Sequence, residues 1–379
     1  MAVHLTNGRV ATPQGIRDGL TVSLGDDGRI DAVSAGPPPE DAEAHDLQGA
    51  LLAPGFIDTQ VNGGGGVLFN DETSVEGIAT IGAAHRRYGS TGFLPTLISD
   101  DLDVIDRAID AVEAAIAQGV PGVLGIHIEG PFLNVRRKGI HDASKFRTLS
   151  DGDIRRLTRL DAGRTLVTLA PETTTPAMIA ALVEAGAIVA AGHTDADYST
   201  MRTAFDAGVT GVTHLFNAMS PLQNRAPGVV GAALEDRQAW CGIIVDGHHV
   251  DPVNLKLAMR CRPADRFMLV TDAMPSVGAE ADHFFLQDRR ITVKDGVCYD
   301  DNGVLAGSDL DMASAVRNTV DLLDTSLQGA LEMASASPAA FLGMADVRGQ
   351  IAPGLAADLV ALDDRLNVVC TWIAGRISN

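Results

Sequence analysis

Acidic and imidazole side chains follow several of the apolar runs in this chain. Glu129 ends the run that begins at Val120, His193 and His214 follow two later runs, and Asp272 follows another. A buried carboxylate is tolerated when it is paired with a cation or bound to a metal. A lone strand-end glutamate is commonly ion-paired, but the repetition of His and Asp at the ends of later runs favours one shared site.

His193 and His214 are separated by roughly the length of one helix plus one strand, which places them on neighbouring strands of a repeating β/α fold. One carboxylate and two imidazoles suit Zn²⁺, with a further position left for water. We therefore predict that Glu129, His193 and His214 bind a divalent metal ion. A solitary histidine at a strand end is more often a structural residue, but five of the ten histidines lie at or just past predicted strand ends: His141, His193, His214, His248 and His249.

Asp272 is the remaining strand-end carboxylate and is expected to lie opposite the metal. A metal ion lowers the pKa of bound water to about 7, and a nearby carboxylate can accept the proton as the water attacks a carbonyl group. Asp272 is thus the candidate general base of a hydrolytic reaction. The alternative role, an N-cap in the turn after the strand, has equal weight if no metal site is present.

Two further stretches carry weaker indications. Residues 62–66, Asn-Gly-Gly-Gly-Gly, could cradle a phosphate, but they lack the Lys and Ser/Thr of a phosphate-binding loop, and close backbone approach or loop mobility explains them as well. The basic residues 136–138 are expected to form a solvated loop rather than an anion site.

Apolar runs alternate with helical patterns between the two ends of the chain. The predicted helices include 101–118, 175–185 and 197–207, and each pattern stops at a glycine. Alternation of this kind predicts an α/β protein with a (β/α)₈ TIM barrel rather than an open doubly wound sheet, and the missing G-x-G-x-x-G after the first strand agrees. The eight predicted strands lie near residues 51–58, 91–98, 121–128, 165–170, 187–192, 208–213, 240–245 and 267–271.

Short β-type runs and turn residues occupy both ends of the chain. Asn7-Gly8 and Asp27-Gly28 predict hairpin turns, and apolar runs after residue 349 predict further strands. The two termini are therefore expected to meet in one small β-domain. The predicted organisation is residues 1–53 and 349–379 in that domain and 54–348 in the barrel, with a hairpin insertion near 283–301.

Composition limits the classes of protein and partner. With 46% apolar residues the chain can bury a large core, and no apolar run approaches the roughly 18 to 20 residues needed to span a bilayer. The formal net charge of -20 argues against nucleic acid or an anionic membrane as a partner. The four widely spaced cysteines predict core thiols, not a disulfide framework. The chain start lacks a secretion signal, so a cytoplasmic location is expected.

Several motifs together resemble those of a known enzyme family. PGFID at 54–58 and GQIAPGLAADL at 349–359 are similar to the signatures that frame the amidohydrolase superfamily. Within it, the chain resembles the N-acetylglucosamine-6-phosphate deacetylases nearly end to end. The motifs that carry this resemblance are HIEGPFLN (127–134), KGIH (138–141), AGHTDA (191–196), THLFNAMSPL (213–222), DGHHV (246–250), VTDAM (270–274) and LAGSDL (305–310). The resemblance implies a metal-dependent barrel with a small β-sandwich built from both termini.

The resemblance also implies roles for individual residues. Glu129, His193 and His214 match the metal ligands of the family. Asp272 matches its general base, which then acts as the acid, and His141 matches the residue that holds and polarises the acetyl carbonyl.

A second group of positions matches those that contact the substrate. In a homodimer, Arg225 and His249 would reach across the interface into the neighbouring subunit's site, and Leu305 would lie near the sugar and acetyl group. The full set of matched substrate positions is Gln60, Ile140, His141, Asn217, Ala218, Arg225, His249 and Leu305.

One departure from the superfamily pattern concerns the number of metals. Many amidohydrolases carry His-x-His after the first strand and bind two ions, whereas this chain has Gln60 and Asn62 there. An amide is a poor zinc ligand, so we expect one divalent ion per subunit, with Zn²⁺ predicted and Fe²⁺ or another divalent ion as the alternative.

The predicted reaction is hydrolysis of N-acetyl-D-glucosamine 6-phosphate to D-glucosamine 6-phosphate and acetate, in amino-sugar catabolism or cell-wall recycling. The nearest rival substrate is N-acetylgalactosamine 6-phosphate or another acylated amino-sugar phosphate, because no motif reads the 4-hydroxyl. A rival of another class is a catalytically silent binding scaffold, against which the presence of Asp272 and all three metal ligands argues.

Overall fold

Eight parallel strands wind into a barrel in their order along the chain, in a computed structural model that describes residues 3–287 and 289–378. The ring closes where Val61, at the end of the first barrel strand, pairs with Ala273 just after the eighth. The predicted TIM barrel is confirmed. Its strands are Phe56–Val61, Ser90–Ile98, Gly125–Glu129, Arg164–Leu169, Ile188–Ala191, Gly211–Val212, Trp240–Ile243 and Phe267–Leu269.

Helices surround the barrel, and most of the described ones begin at a side-chain cap. Thr175 accepts a hydrogen bond from the backbone N–H of Met178, and Asp197 accepts one from Thr200, so both helices start where the sequence predicted. Gly208 ends the second of these helices at a φ of 109°, which favours glycine. The described helices are Val75–Arg86, Leu102–Ala117, Asp151–Leu157, Pro176–Glu184, Tyr198–Asp206, Gly228–Glu235, Pro252–Cys261, Met312–Leu323, Leu327–Ala334 and Ala336–Phe341.

Two of the predicted barrel strands begin at least four residues later than predicted, and the other six agree to within three residues at each end. The run 51–58 is two strands, because Leu51–Pro54 pairs antiparallel with Leu359–Leu362 outside the barrel and only Phe56–Val61 enters it. The third barrel strand begins at Gly125, four residues later than predicted. In both places an unbroken apolar run hid the point at which the chain changes partner.

Strands from the two ends of the chain form two sheets around a separate core. This core contains Leu5, Val22, Leu52, Leu359 and Trp372, all buried. One sheet has the order Ile30–Ala35, Leu20–Leu24, Val3–Thr6, Glu43–Asp46. The other has the order Arg376–Ile377, Val368–Ile373, Leu359–Leu362, Leu51–Pro54, Arg9–Thr12, Gly15–Arg17. The exact domain boundaries stay a prediction.

The two predicted N-terminal hairpins differ in outcome. Leu20–Leu24 and Ile30–Ala35 pair antiparallel across Asp27-Gly28, as predicted. The Asn7-Gly8 hairpin was wrong, because Val3–Thr6 and Arg9–Thr12 belong to different sheets. This turn moves the chain from one sheet to the other.

The insertion after the eighth barrel strand is larger than the predicted hairpin. It is a four-stranded antiparallel sheet of His283–Leu286, Arg289–Lys294, Val297–Asp300 and Leu305–Ser308. Its last strand returns to the barrel, where Ser308 pairs with Ala273. The insertion is thereby fixed beside the carboxyl ends of the barrel strands.

Two expectations about the chain as a whole can be compared with the structure. Among the described helices, none is long and apolar enough to cross a bilayer. Cys241, Cys298 and Cys370 are buried free thiols, as predicted, but Cys261 is exposed at the end of its helix and is not a core thiol.

Candidate functional site

Three predicted metal ligands meet at one point above the carboxyl ends of the barrel strands. Glu129 ends the third strand, His193 follows the fifth and His214 follows the sixth. Oε1 of Glu129 lies 3.3 Å from Nε2 of His193 and 3.1 Å from Nε2 of His214. The two Nε2 atoms are 3.1 Å apart. All three side chains are buried.

This triangle has the dimensions of a metal site. Ligand atoms about 2.0 to 2.1 Å from a tetrahedral Zn²⁺ lie about 3.3 Å from one another, which is close to the three observed separations. The donor set of one carboxylate oxygen and two imidazole nitrogens also suits zinc. The residues present therefore fit a divalent ion.

Surrounding groups put the ligands in the required charge state and orientation. Burial alone would raise the pKa of Glu129, but the adjacent imidazoles of His193 and His214 outweigh it and hold that pKa well below its usual range. Nδ1 of His193 lies 2.8 Å from the backbone carbonyl of Arg137, which can accept only a hydrogen bond. The proton is then on Nδ1, and Nε2 presents its lone pair to the metal position.

Asp272 faces the same point from the first residues after the eighth strand. It adopts a φ of 53°, in the left-handed region, and His193 and His214 do so at 48° and 33°. Non-glycine residues hold such conformations where surrounding contacts fix them, and they concentrate at functional sites. Burial raises the pKa of Asp272, the negative charge of Glu129 raises it further, and the hydrogen bond from Asn62 opposes both.

His141 lies beside the ligands with one nitrogen occupied. Its ring centroid is 4.4 Å from that of His193. The backbone N–H of Ser99 donates to Nδ1 at 3.3 Å, and the Ser99 hydroxyl lies 2.8 Å from the same atom. Burial, followed by the nearness of the titratable His193 imidazole, lowers the pKa of His141 well below its usual range. The ring is therefore neutral, with its proton on Nε2.

The ligands, Asp272 and His141 open into one cavity of about 370 Å³. A volume of this order accommodates a small ligand. Most of the predicted substrate-contacting residues line it: Ile140, His141, Asn217, Ala218, His249 and Leu305. His249 is oriented by Asp246, whose Oδ2 lies 2.5 Å from Nδ1.

Three predicted residues lie elsewhere. Gln60 is buried behind the ligands, where its amide donates to Glu129 and Asp272, and it is not among the residues lining the cavity. Arg225 is exposed on the loop before helix Gly228–Glu235 and lines a separate surface depression. His248 is exposed, and its backbone N–H donates to Asp246.

The two stretches with weaker indications also have an explanation. A side chain at Gly63 would meet the carbonyl oxygen of Val67 at 2.4 Å, so close backbone approach accounts for this glycine, and Gly65 and Gly66 adopt positive φ values of 63° and 85°. The loop 136–138 is not simply solvated as predicted: Arg136 and Arg137 line the cavity edge and both pair with Asp195. These ion pairs join segments far apart in sequence, which no local pattern reveals.

Comparisons with known proteins agree with this arrangement. Residues 51–378 match the model of the Amidohydrolase family. A relative from Shewanella sp. (strain ANA-3), named N-acetylgalactosamine-6-phosphate deacetylase, is 44% identical and covers 87% of this chain and 84% of its own. One from Haemophilus influenzae, named N-acetylglucosamine-6-phosphate deacetylase, is 36% identical and covers 87% of each. The crystal structure of N-acetylglucosamine-6-phosphate deacetylase from Pasteurella multocida superposes with a TM-score of 0.96 at 35% identity, over 100% of both chains.

Proposed function

The chain belongs to the amidohydrolase family of metal-dependent hydrolases, and from this membership we propose that it removes the acetyl group from an N-acetylhexosamine 6-phosphate. N-acetyl-D-glucosamine 6-phosphate is the predicted substrate, and D-glucosamine 6-phosphate and acetate are the products. Relatives that cover more than four-fifths of the chain carry names of this activity. Because a sugar phosphate does not cross membranes freely, the proposed place of action is the cytoplasm.

One observation carries the proposal. Glu129, His193 and His214 form a triangle of metal-ligand dimensions, and Asp272 and His141 face it across the same cavity. Amide hydrolysis needs a polarised carbonyl, an activated water and a proton donor for the departing nitrogen. The site has groups for all three requirements: the metal position and His141 for the carbonyl, and Asp272 first for the water and then for the departing nitrogen.

The metal proposed for this site is a single Zn²⁺, held by Glu129, His193 and His214. When bound, such an ion polarises a carbonyl oxygen and lowers the pKa of water. Gln60 and Asn62 occupy the positions of the second pair of ligands in two-metal relatives, and their amides are poor zinc ligands. Fe²⁺ is the alternative ion.

Asp272 carries the proton in both halves of the reaction. Its carboxylate accepts a proton from the water that attacks the acetyl carbon and then donates that proton to the sugar nitrogen as the C–N bond breaks. A carboxyl with a raised pKa, as burial and Glu129 give Asp272, is suited to hold a proton between the two steps. Acetate and the free amine leave.

His141 acts on the other side of the carbonyl. Because Nδ1 accepts from the backbone N–H of Ser99, Nε2 carries the proton of the neutral ring. That N–H donates to the acetyl oxygen as negative charge develops there. A donor fixed in a buried site stabilises such charge without reorganising.

Phosphate recognition is assigned to local groups, because the net charge of -20 gives no long-range attraction. Asn217, Ala218 and His249 line the cavity and supply polar or backbone donors. Arg225 is exposed outside its own cavity. We assign Arg225 to the phosphate site of the neighbouring subunit in a homodimer, whereas His249 lines the cavity of its own chain.

The galacto epimer is the second candidate substrate, favoured by the 44% identical relative named for it. Acetate release should be measured with N-acetylglucosamine 6-phosphate, N-acetylgalactosamine 6-phosphate and the unphosphorylated sugars, together with metal content. A higher kcat/KM for the gluco epimer supports the primary proposal, and a higher value for the galacto epimer replaces it. Hydrolysis of neither phosphate would contradict both.

A further inference from the structure

Two side-chain amides donate to the same oxygen of Asp272. Nε2 of Gln60 lies 3.1 Å from Oδ1, and Nδ2 of Asn62 lies 2.7 Å from that atom. Gln60 also donates to both oxygens of Glu129, at 3.2 and 3.3 Å. Carboxylate oxygens accept hydrogen bonds, so both amides must present their NH₂ groups, which fixes their orientation.

The backbone holds these donors and their acceptor in register. The N–H of Asp272 donates to the carbonyl of Gln60 at 3.0 Å, and the N–H of Asn62 donates to the carbonyl of Ala273 at 2.9 Å. These bonds belong to the seam where the first and eighth barrel strands close the ring. The pairing that closes the barrel thus also places both amides against Asp272.

Asp58 also fixes this seam, through hydrogen bonds to residues on both sides of it. Its Oδ2 accepts a hydrogen bond from the Thr271 hydroxyl at 2.5 Å, and its Oδ1 accepts from the backbone N–H of Gln60 at 3.1 Å. Thr271 immediately precedes Asp272 and Gln60 contacts it directly. The left-handed backbone of Asp272 is therefore fixed from two sides.

We propose that Gln60 and Asn62 are positioning residues for Asp272. By occupying Oδ1 they leave Oδ2 as the oxygen that exchanges the proton, and they prevent the carboxylate from turning. Gln60 also places an NH₂ group between two buried carboxylates, Glu129 and Asp272, which would otherwise repel each other. This assignment rests on the proposed deacetylation, and it gives a function to two residues whose amides are unsuited to bind a second metal.

Asn62 provides the cleaner test, because its Nδ2 bond goes to Asp272, whereas Gln60 also contacts a metal ligand. Asn62→Asp keeps the size of the side chain, removes the donor and adds a like charge, and Asn62→Ala removes the donor alone. Loss of a hydrogen bond to a charged group corresponds to about 10- to 100-fold. We expect kcat to fall by this factor while KM and metal content stay unchanged.

A matched control is Asn7→Asp. Asn7 makes the same kind of bond, from Nδ2 to Oδ1 of Asp46 at 2.7 Å, among the terminal strands and not at the cavity. The control should keep kcat within about threefold of the parent. Thermal melts of all three variants identify any that fail to fold, and Asn62→Ala substitutes for Asn62→Asp if the added charge prevents folding.

The outcomes separate the alternatives. Asn62 lines the cavity, so a raised KM with unchanged kcat would show that it contacts the substrate. Loss of metal would show that it supports the metal site. Either result, or unchanged activity, overturns the proposal. If the parent hydrolyses neither epimer, the proposed function fails instead. In that case, crystal structures of parent and Asn62→Ala test the positioning role independently. A rotated Asp272 carboxylate in the variant supports the role, and an unmoved one refutes it.

Discussion

The Nε2 atoms of His193 and His214 lie 3.1 Å apart and both approach Oε1 of Glu129. Nδ1–H of His193 donates a hydrogen bond to the backbone carbonyl of Arg137, so Nε2 of His193 directs a lone pair towards His214 and Glu129. Electron pairs converge in this way on a cation. The arrangement explains why a carboxylate ending the third strand is buried without a Lys or Arg partner among the described residues.

Metal content follows from this triangle. We expect about one equivalent of divalent ion per chain, and His193→Ala should lose both the ion and the activity. His248→Ala is the control, since that imidazole is exposed and belongs to neither the cavity nor the ligands. Elemental analysis of purified protein gives the count. Two tightly held equivalents would contradict the assignment of Gln60 and Asn62 as residues that bind no ion.

Replacement of Asp272, the carboxylate that we propose transfers the proton, should affect the chemical step alone. Asp272→Asn should retain metal and substrate binding, while kcat falls by roughly 10² to 10⁴. Steady-state kinetics, elemental analysis and calorimetric titration with substrate separate these quantities. If Asp272 were only a cap for the following turn, the variant would lose thermal stability and keep a kcat within about tenfold of the parent.

The pH dependence of stability should report on Asp58. Burial raises the pKa of this carboxyl from 3.8 to about 7, although Thr271 opposes the shift. The folded protein therefore binds the proton more tightly than the unfolded chain. The contribution of Asp58 to stability is full below pH 3.8 and is lost as the pH rises towards 7, by on the order of 4 kcal/mol.

Asp58→Asn tests this by removing the titrating group. Denaturant unfolding of parent and variant at several pH values between 4 and 8, at one metal concentration, gives the difference in their free energies of unfolding. The free energy of unfolding of the parent should fall relative to that of Asp58→Asn as the pH rises. Parallel curves would show that Asp58 has the same pKa in the folded and unfolded protein.

The strand-end residues were predictable because two simple rules combine. Apolar runs mark the barrel strands, and a barrel gathers the residues that follow its strands at one face, so Glu129, His193, His214 and Asp272 could be placed together from sequence. Gln60 was assigned to the substrate from family resemblance, but the structure places its amide on Glu129 and Asp272. These hydrogen-bond partners of Gln60 could be found only from the register of the strands that close the ring.

Other parts of the site depend on contacts that leave no periodic signal. The bond between Ser99 and His141 joins the end of one barrel strand to a loop without regular strand structure. The Arg137 carbonyl orients His193 through a backbone atom, so the identity of the arginine side chain carries no information about that role. Likewise, residues 51–57 contain no polar side chain, and the division of this run between two sheets follows from pairing with Leu359–Leu362.

The phosphate assignment can be tested through substrate preference. Arg225→Ala removes a charge-assisted contact worth roughly 1.5 to 3 kcal/mol, or about one to two decades in kcat/KM for the phosphorylated sugar. Hydrolysis of unphosphorylated N-acetylglucosamine should change little, so most of the preference for the phosphate should disappear. Arg266→Ala is the control: this arginine stacks on Trp240 at the opposite, amino-terminal end of a barrel strand. Unchanged selectivity in Arg225→Ala would dismiss the phosphate role.

The subunit that supplies Arg225 can be identified by mixing two impaired proteins. Arg225 is exposed and outside the cavity of its own chain, which favours action in the neighbouring site. In a mixed dimer of Arg225→Ala and Asp272→Asn, one site would combine Asp272 from its own chain with Arg225 from its partner. Activity should therefore return when subunits exchange, and exchange can be followed independently with differently tagged chains. Loss of selectivity without rescue, despite demonstrated exchange, would place Arg225 in the site of its own chain. To reach the phosphate there, the exposed loop before helix Gly228–Glu235 would have to close over the cavity.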